Sequence, residues 1–95
     1  MSIVRTARAR GLTIEIAELG AWGGLLAEYD ARARTIRVGA SALRARTGAA
    51  RRRFFVEAIA HELYHHLEAS GEISRRGGFV RRENAARAYG RRAIR

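Results

Sequence analysis

The sequence predicts an α+β fold, and three observations carry that expectation. Two short stretches, Leu12–Ile16 and Thr35–Val38, alternate apolar and polar side chains as half-buried strands do. One long stretch, residues 50–69, repeats its apolar residues at helical spacing. A chain of 95 residues is also the length of one domain with one modest core. The expected architecture is a single domain over residues 1–95, with a leading helix, a small and mainly antiparallel sheet, and two later helices.

The elements follow in order. Ser2 to Arg10 has helix formers with Ile3, Val4 and Ala7 apolar, and Gly11 as a stop. Leu12–Ile16 is the first strand, and Gly20 to Gly24 around Trp22 reads as a turn, with Trp22 itself a core residue. Leu25–Tyr29 and Thr35–Val38, joined by the polar link from Asp30 to Arg34, read as an antiparallel hairpin ended by Gly39. Ser41 is placed to cap a helical turn over Ala42 to Ala45. Gly48 then separates that turn from the long helix, residues 50–69, where Val56, Ile59, Ala60, Leu63 and Leu67 make one apolar stripe and Gly71 marks the end. Glu72 to Phe79 has no period and reads as a loop. The last helix spans Arg81 to Ile94, with Ala85, Ala86, Ala88 and Tyr89 available for packing.

Composition narrows the function classes. There is no Cys, so disulfides and thiolate metal ligation are excluded, and a metal must be held by His and carboxylate. No apolar run is long enough to span a membrane, and the start of the chain, with Arg5, Arg8 and Arg10, lacks the apolar run of a signal peptide. A cytoplasmic location without membrane contact is expected. The net charge is +10, and all 19 basic residues are Arg. Such a surplus attracts nucleic acid or acidic protein surfaces. It is scattered over Arg51–Arg53, Arg75–Arg76, Arg81–Arg82 and Arg91–Arg92 with no aromatic interleaving, so nucleic-acid contact is allowed but no motif encodes it.

Chemistry concentrates in His61-Glu62-Leu63-Tyr64-His65, an HExxH pattern on the long helix. Four residues are a little over one turn, so His61 and His65 stack on one face and can share one cation. Leu63 lies about 200° from His61, so the core stripe and the ligand pair point nearly opposite ways. Glu62 is rotated off the ligand direction, where it can act as general base toward a water rather than bind the metal. The cation expected is zinc, which in a catalytic site takes three protein ligands. His66, the remaining histidine, is rotated by about 100° from His65 and should not reach the same ion. The third ligand should be a carboxylate: Glu68, Glu72 or Glu83. Glu68 would have to bend back along its own helix and Glu72 lies in the loop. Glu83 opens the last helix, which an antiparallel return brings across the cleft. Glu83 is favoured, with Glu72 second. Tyr64, Tyr89, His66 or an Arg could stabilise an oxyanion, although packing is the simpler role for both tyrosines. Glu57, four residues before His61, could orient that ring.

Taken together, these residues resemble the ImmA/IrrE family of small zinc metallopeptidases, a gluzincin-like group. The resemblance covers most of the chain. It runs through the leading helix, the strand Leu12–Ile16, Glu28-Tyr29-Asp30, and the strand Thr35–Val38. It is strongest over Phe55 to Leu67 around His61-Glu62-Leu63 and His65-His66. Glu83, with Ala86 three positions on and Tyr89 six on, is similar to the family's third-ligand helix. The resemblance implies a minimal zincin-like domain with Zn2+ on His61, His65 and Glu83 and with Glu62 catalytic. It implies an endopeptidase whose protein substrate is a repressor, bound to DNA. The sequence departs from the family's pattern at Tyr64, where Gly is usual, at Arg87 (Asn) and at Gly90 (Ala), and it lacks a Leu-Leu-x-Pro ending. These departures spare the ligands and bear on substrate binding. The competing reading is a non-enzymatic basic module for nucleic acid or an acidic partner, with a structural or vestigial zinc site. Glu62 favours the enzyme, since a purely structural site has no need of it.

Overall fold

The computed structural model describes residues 2–20, 26–73 and 78–93. In chain order these form α1 (Ile3–Ala9), β1 (Thr13–Ala17), β2 (Ala27–Asp30), β3 (Thr35–Gly39), α2 (Ala40–Arg44), α3 (Gly48–Ala69) and α4 (Phe79–Arg92). The α+β class expected from the sequence is observed. Trp22 with the rest of its expected turn at 21–24, Leu25, Arg75 and Arg76 in the expected loop, and Ile94 lie outside the described residues. None of the described helices is long and apolar enough to cross a membrane.

Helix α1 starts where the Ser2 hydroxyl accepts the Arg5 N–H. It ends at Gly11, whose φ of +79° lets the chain turn at once into β1. The sheet order is β1-β3-β2. β2 and β3 form the expected antiparallel pair, with Tyr29 opposite Ile36 and Ala27 opposite Val38. The expectation of a mainly antiparallel sheet needs correction: β1 runs parallel to β3, with Ile14 opposite Ile36, so the sheet is mixed. Alternation fixes which face of a strand is buried but not its direction. Here the link from β1 to β2 carries the chain to the far edge, and β3 returns between them.

The sheet's two faces are chemically distinct. Ile36 and Val38 of β3 are fully buried and meet Ile59 and Leu63 of α3 with Ala7, Leu12 and Leu43. Between them Arg37 turns to the opposite face, directly across from Glu15 and Glu28, and binds Glu15, Glu28 and Asp30 at 3.1–3.2 Å. Ser41 is not the cap of α2. Gly39 holds that position, and the Ser41 hydroxyl instead donates to Glu18 at 2.7 Å.

Helix α3 is the centre of the molecule, with α1, β2 and β3 packed on one side and α4 on another. Its C-terminal stop is a Schellman turn. Gly71, at φ +81°, donates to the Glu68 carbonyl, and Glu72 donates to that of Leu67 at 3.0 Å. Helix α4 lies antiparallel to α3: Gly90 near its end faces Glu57, while Glu83 near its start faces His61 and His65. Glu83, Ala86 and Gly90 are spaced at three, four and seven residues, so they share one face of α4. Ala86 is fully buried there. A Cβ on Gly90 would sit 2.9 Å from the Glu57 carbonyl oxygen and 3.2 Å from its Cγ, so the missing side chain sets how closely the two helices approach.

Gly90→Ala tests this packing. Helix propensity alone would favour Ala by about 1 kcal/mol. The backbone clash should override it, for a net loss of about 1–3 kcal/mol in chemical denaturation. A stabilised Gly90→Ala protein would show that α4 does not pack this tightly.

Candidate metal centre

The HExxH residues occupy the stretch of α3 that α4 covers. His61 and His65 both turn toward α4, their rings 5.1 Å apart between centroids. Glu83 reaches across from α4 and meets both. One carboxylate oxygen lies 3.4 Å from His61 Nε2 and the other 2.8 Å from His65 Nε2. One ligand atom from each of the three residues lies within 4.8 Å of the others, and all three side chains are half-buried. Of the carboxylates weighed from the sequence, Glu83 therefore joins the histidine pair. Glu72 does not: its side chain is 48% exposed and pairs with Arg10. His66, as its angle on the helix required, turns away to the sheet, where it is buried and shares a 2.8 Å hydrogen bond with the Tyr29 hydroxyl.

Glu68 has a different task from the one considered for it. Its carboxylate, 2% exposed, is 3.0 Å from His65 Nδ1 and accepts from Arg82 Nε at 3.2 Å. Burial pushes this carboxyl's pKa up, but the hydrogen bonds from His65 and Arg82 outweigh it and hold the group below its ordinary value. An ionised carboxylate only accepts, so His65 Nδ1 donates to Glu68, while Nε2 lies against the Glu83 carboxylate. Two lone-pair atoms 2.8 Å apart repel unless a proton or a metal cation lies between them. Carboxylate, imidazole and ligand position thus form the series by which proteins orient metal-binding histidines. The sequence signal was the three-residue step from His65 to Glu68, a spacing at which helix side chains meet. Glu57, weighed as a residue that could orient His61, instead packs against Gly90.

The donor set fits zinc. A tetrahedral ion with bonds of about 2.0–2.1 Å needs ligand atoms about 3.3 Å apart. The separation of His61 from one Glu83 oxygen, 3.4 Å, matches this, that of His65 from the other is shorter at 2.8 Å, and the three ligand atoms lie within 4.8 Å of one another. Burial lowers the His61 pKa, with Glu83 opposing and His65 reinforcing, so the ring is neutral and ligand-ready at neutral pH.

Glu62 stands beside this cluster without joining it. It is 9% exposed, and burial pushes its pKa up to about 7; His65 pulls it down, while Glu83 and Glu28 push it further up. A carboxyl with its pKa near neutrality both takes and gives protons readily. Tyr64 stands edge-on to His65, and Tyr89, 5.6 Å from the Tyr64 ring, packs on the core. No family model, curated protein or solved structure matches this chain.

Glu68→Ala should weaken zinc binding roughly 10–100-fold, the usual cost of losing the partner that orients a ligand. Competition against a chromophoric chelator measures this. Glu72→Ala should leave the affinity unchanged, and a loss there equal to that of Glu68→Ala would return the third ligand to the loop.

Proposed function

We propose that this chain is a zinc-dependent endopeptidase of the ImmA/IrrE type, with His61, His65 and Glu83 as ligands and Glu62 as general base. One observation carries the reading. Two imidazole nitrogens converge on one carboxylate, while a second carboxylate, buried and near-neutral in pKa, stands beside them outside the ligand set. A metal site with a purely structural role needs only the first group.

When bound, zinc supplies a Lewis acid that polarises a peptide carbonyl and makes water nucleophilic near neutral pH. Glu62 accepts the proton of the attacking water on a carboxylate oxygen and returns it to the departing amine. Glu68 holds His65 in one tautomer throughout. The substrate class is a polypeptide: β2 is an edge strand whose Glu28 lies close enough to act on Glu62, and an edge offers backbone groups to an extended chain. A DNA-bound repressor as that polypeptide, and a cytoplasmic location, are parts of the same proposal. The rival reading, a non-enzymatic basic module, draws support from the +10 charge but leaves Glu62 without a task.

The carboxylates separate the two readings. Glu62→Gln should keep zinc yet lose nearly all cleavage of an unfolded reporter protein, since Gln accepts no proton. His61→Ala, His65→Ala and Glu83→Ala should each weaken zinc binding itself. Saturating the parent with zinc at about 100 times its dissociation constant should add about 2.7 kcal/mol of stability, and chelator should remove it. Full activity in Glu62→Gln would end the peptidase proposal. A melting curve and metal content indifferent to chelator would end the zinc site.

A further inference from the structure

The acidic residues are spread unevenly over the surface. Glu15, Glu28 and Asp30 are gathered on Arg37, Glu18 on Arg44, Glu72 on Arg10 and Glu68 on Arg82. Glu62 and Glu83 belong to the metal centre. This leaves the end of the molecule where α2 passes into α3 with an arginine excess. Arg51, Arg52 and Arg53 follow one another there, Arg46 lies beside them, and the antiparallel packing at Gly90 and Glu57 brings the Arg91–Arg92 end of α4 alongside. Among the described residues no carboxylate pairs with any of these six guanidinium groups. Arg51 and Arg52 line one shallow groove with Ile16, Leu43, Gly48 and Phe55, while Arg46 and Arg53 border a second, in which Glu57 is the one acid. That groove, of about 510 Å³, is lined by Arg46, Ala49, Ala50, Arg53, Phe54 and Glu57.

Two of the arginines, Arg46 and Arg51, are also held in place. Arg51 donates to the carbonyls of Leu43 and Arg46 at 3.1 and 2.8 Å, and Arg46 donates to that of Ala42 at 2.7 Å. Arg46 lies 4.2 Å above the Phe54 ring. That stacking covers the aromatic face, so the groove offers guanidinium rather than a ring on which a base could stack. The helix dipole disfavours cations in the first turns of α3, and no acidic residue stands there to offset them. An arrangement that repels itself in the free protein is relieved by a regularly spaced polyanion.

We propose that this end of the molecule binds the phosphate backbone of nucleic acid, without regard to sequence, independently of the metal centre. Arg52 stands about 14 Å along the helix from His61, so a strand lying here leaves the metal centre open. The geometry suits roughly three or four phosphates, which gives a log affinity against log salt slope of about −3.

The test is fluorescence anisotropy of the full chain with a short labelled duplex of arbitrary sequence, titrated over a salt series. The double variant Arg52→Glu/Arg53→Glu should bind roughly tenfold or more weakly, with a slope shallower by about 1.8. Its melting temperature and zinc content should not fall, since acidic residues suit a helix start. Arg5→Glu/Arg8→Glu makes the same change in net charge on α1, beside the opposite end of α3, and should bind like the parent. Arg91→Glu/Arg92→Glu repeats the test from α4 should the first variant fail to fold. Equal weakening by the α1 pair would show diffuse attraction and overturn the proposal. So would unchanged binding in both variants of this face, or binding of polyglutamate in place of the duplex, which would mark an acidic protein as the partner.

Discussion

The close antiparallel contact between α3 and α4 governs the rest of the molecule. Among the described side chains of α4 Ala86 alone is fully buried, Tyr89 packs partly buried on the core, and Gly90 contributes to the contact by having no side chain. To this packing the helix adds polar reach. Arg82 binds Glu68, and Glu83 spans His61 and His65. Removing charges from water is favourable only when each finds a partner, and here each does. The small residues and the ionic ones are therefore one device, since the ionic contacts form at these distances only because Ala and Gly let the backbones approach.

That device explains why parts of the structure were legible in the sequence and others were not. Periodicity reports which face of an element is buried, and it placed the long helix, its stop at Gly71 and the hairpin around β3. The His61–His65 pair was equally readable, because a four-residue step fixes geometry within one helix. Glu83 was reachable by elimination among carboxylates, aided by a resemblance. Contacts between elements were harder. Nothing local in the sequence distinguishes Glu68 as an orienting group from Glu68 as a ligand or a solvated acid. Its pairing with Arg82 depends on a docking angle that emerges only when α4 is in place. The parallel direction of β1 was hidden for the same reason, since strand direction follows from where a connection crosses. Ser41 is a local failure: a good capping residue was taken up by Glu18, a partner far away in sequence.

The charge pattern has a corresponding logic. A chain with a surplus this large repels itself, and its few acids are used where repulsion would cost most. Three of them surround Arg37 on the open face of the sheet, and one, the buried Glu68, bridges His65 and Arg82. The remaining arginines are left to solvent, where hydration and salt screen them. At the α2–α3 bend even uncompensated arginines have an internal use, since Arg46 and Arg51 donate to carbonyls at the end of the short helix α2.

The grip on His65 has a kinetic side. Arg82 and Glu83 are neighbours in sequence, yet they secure opposite edges of one imidazole, the first through Glu68 at Nδ1 and the second directly at Nε2. A half-turn of the ring would exchange its nitrogens and break both contacts at once. Rotation therefore waits on α4 lifting away, and a helix pair opens far more slowly than a side chain turns. The direction in which Nε2 points is therefore set by the C-terminal helix as much as by the helix that carries the ring.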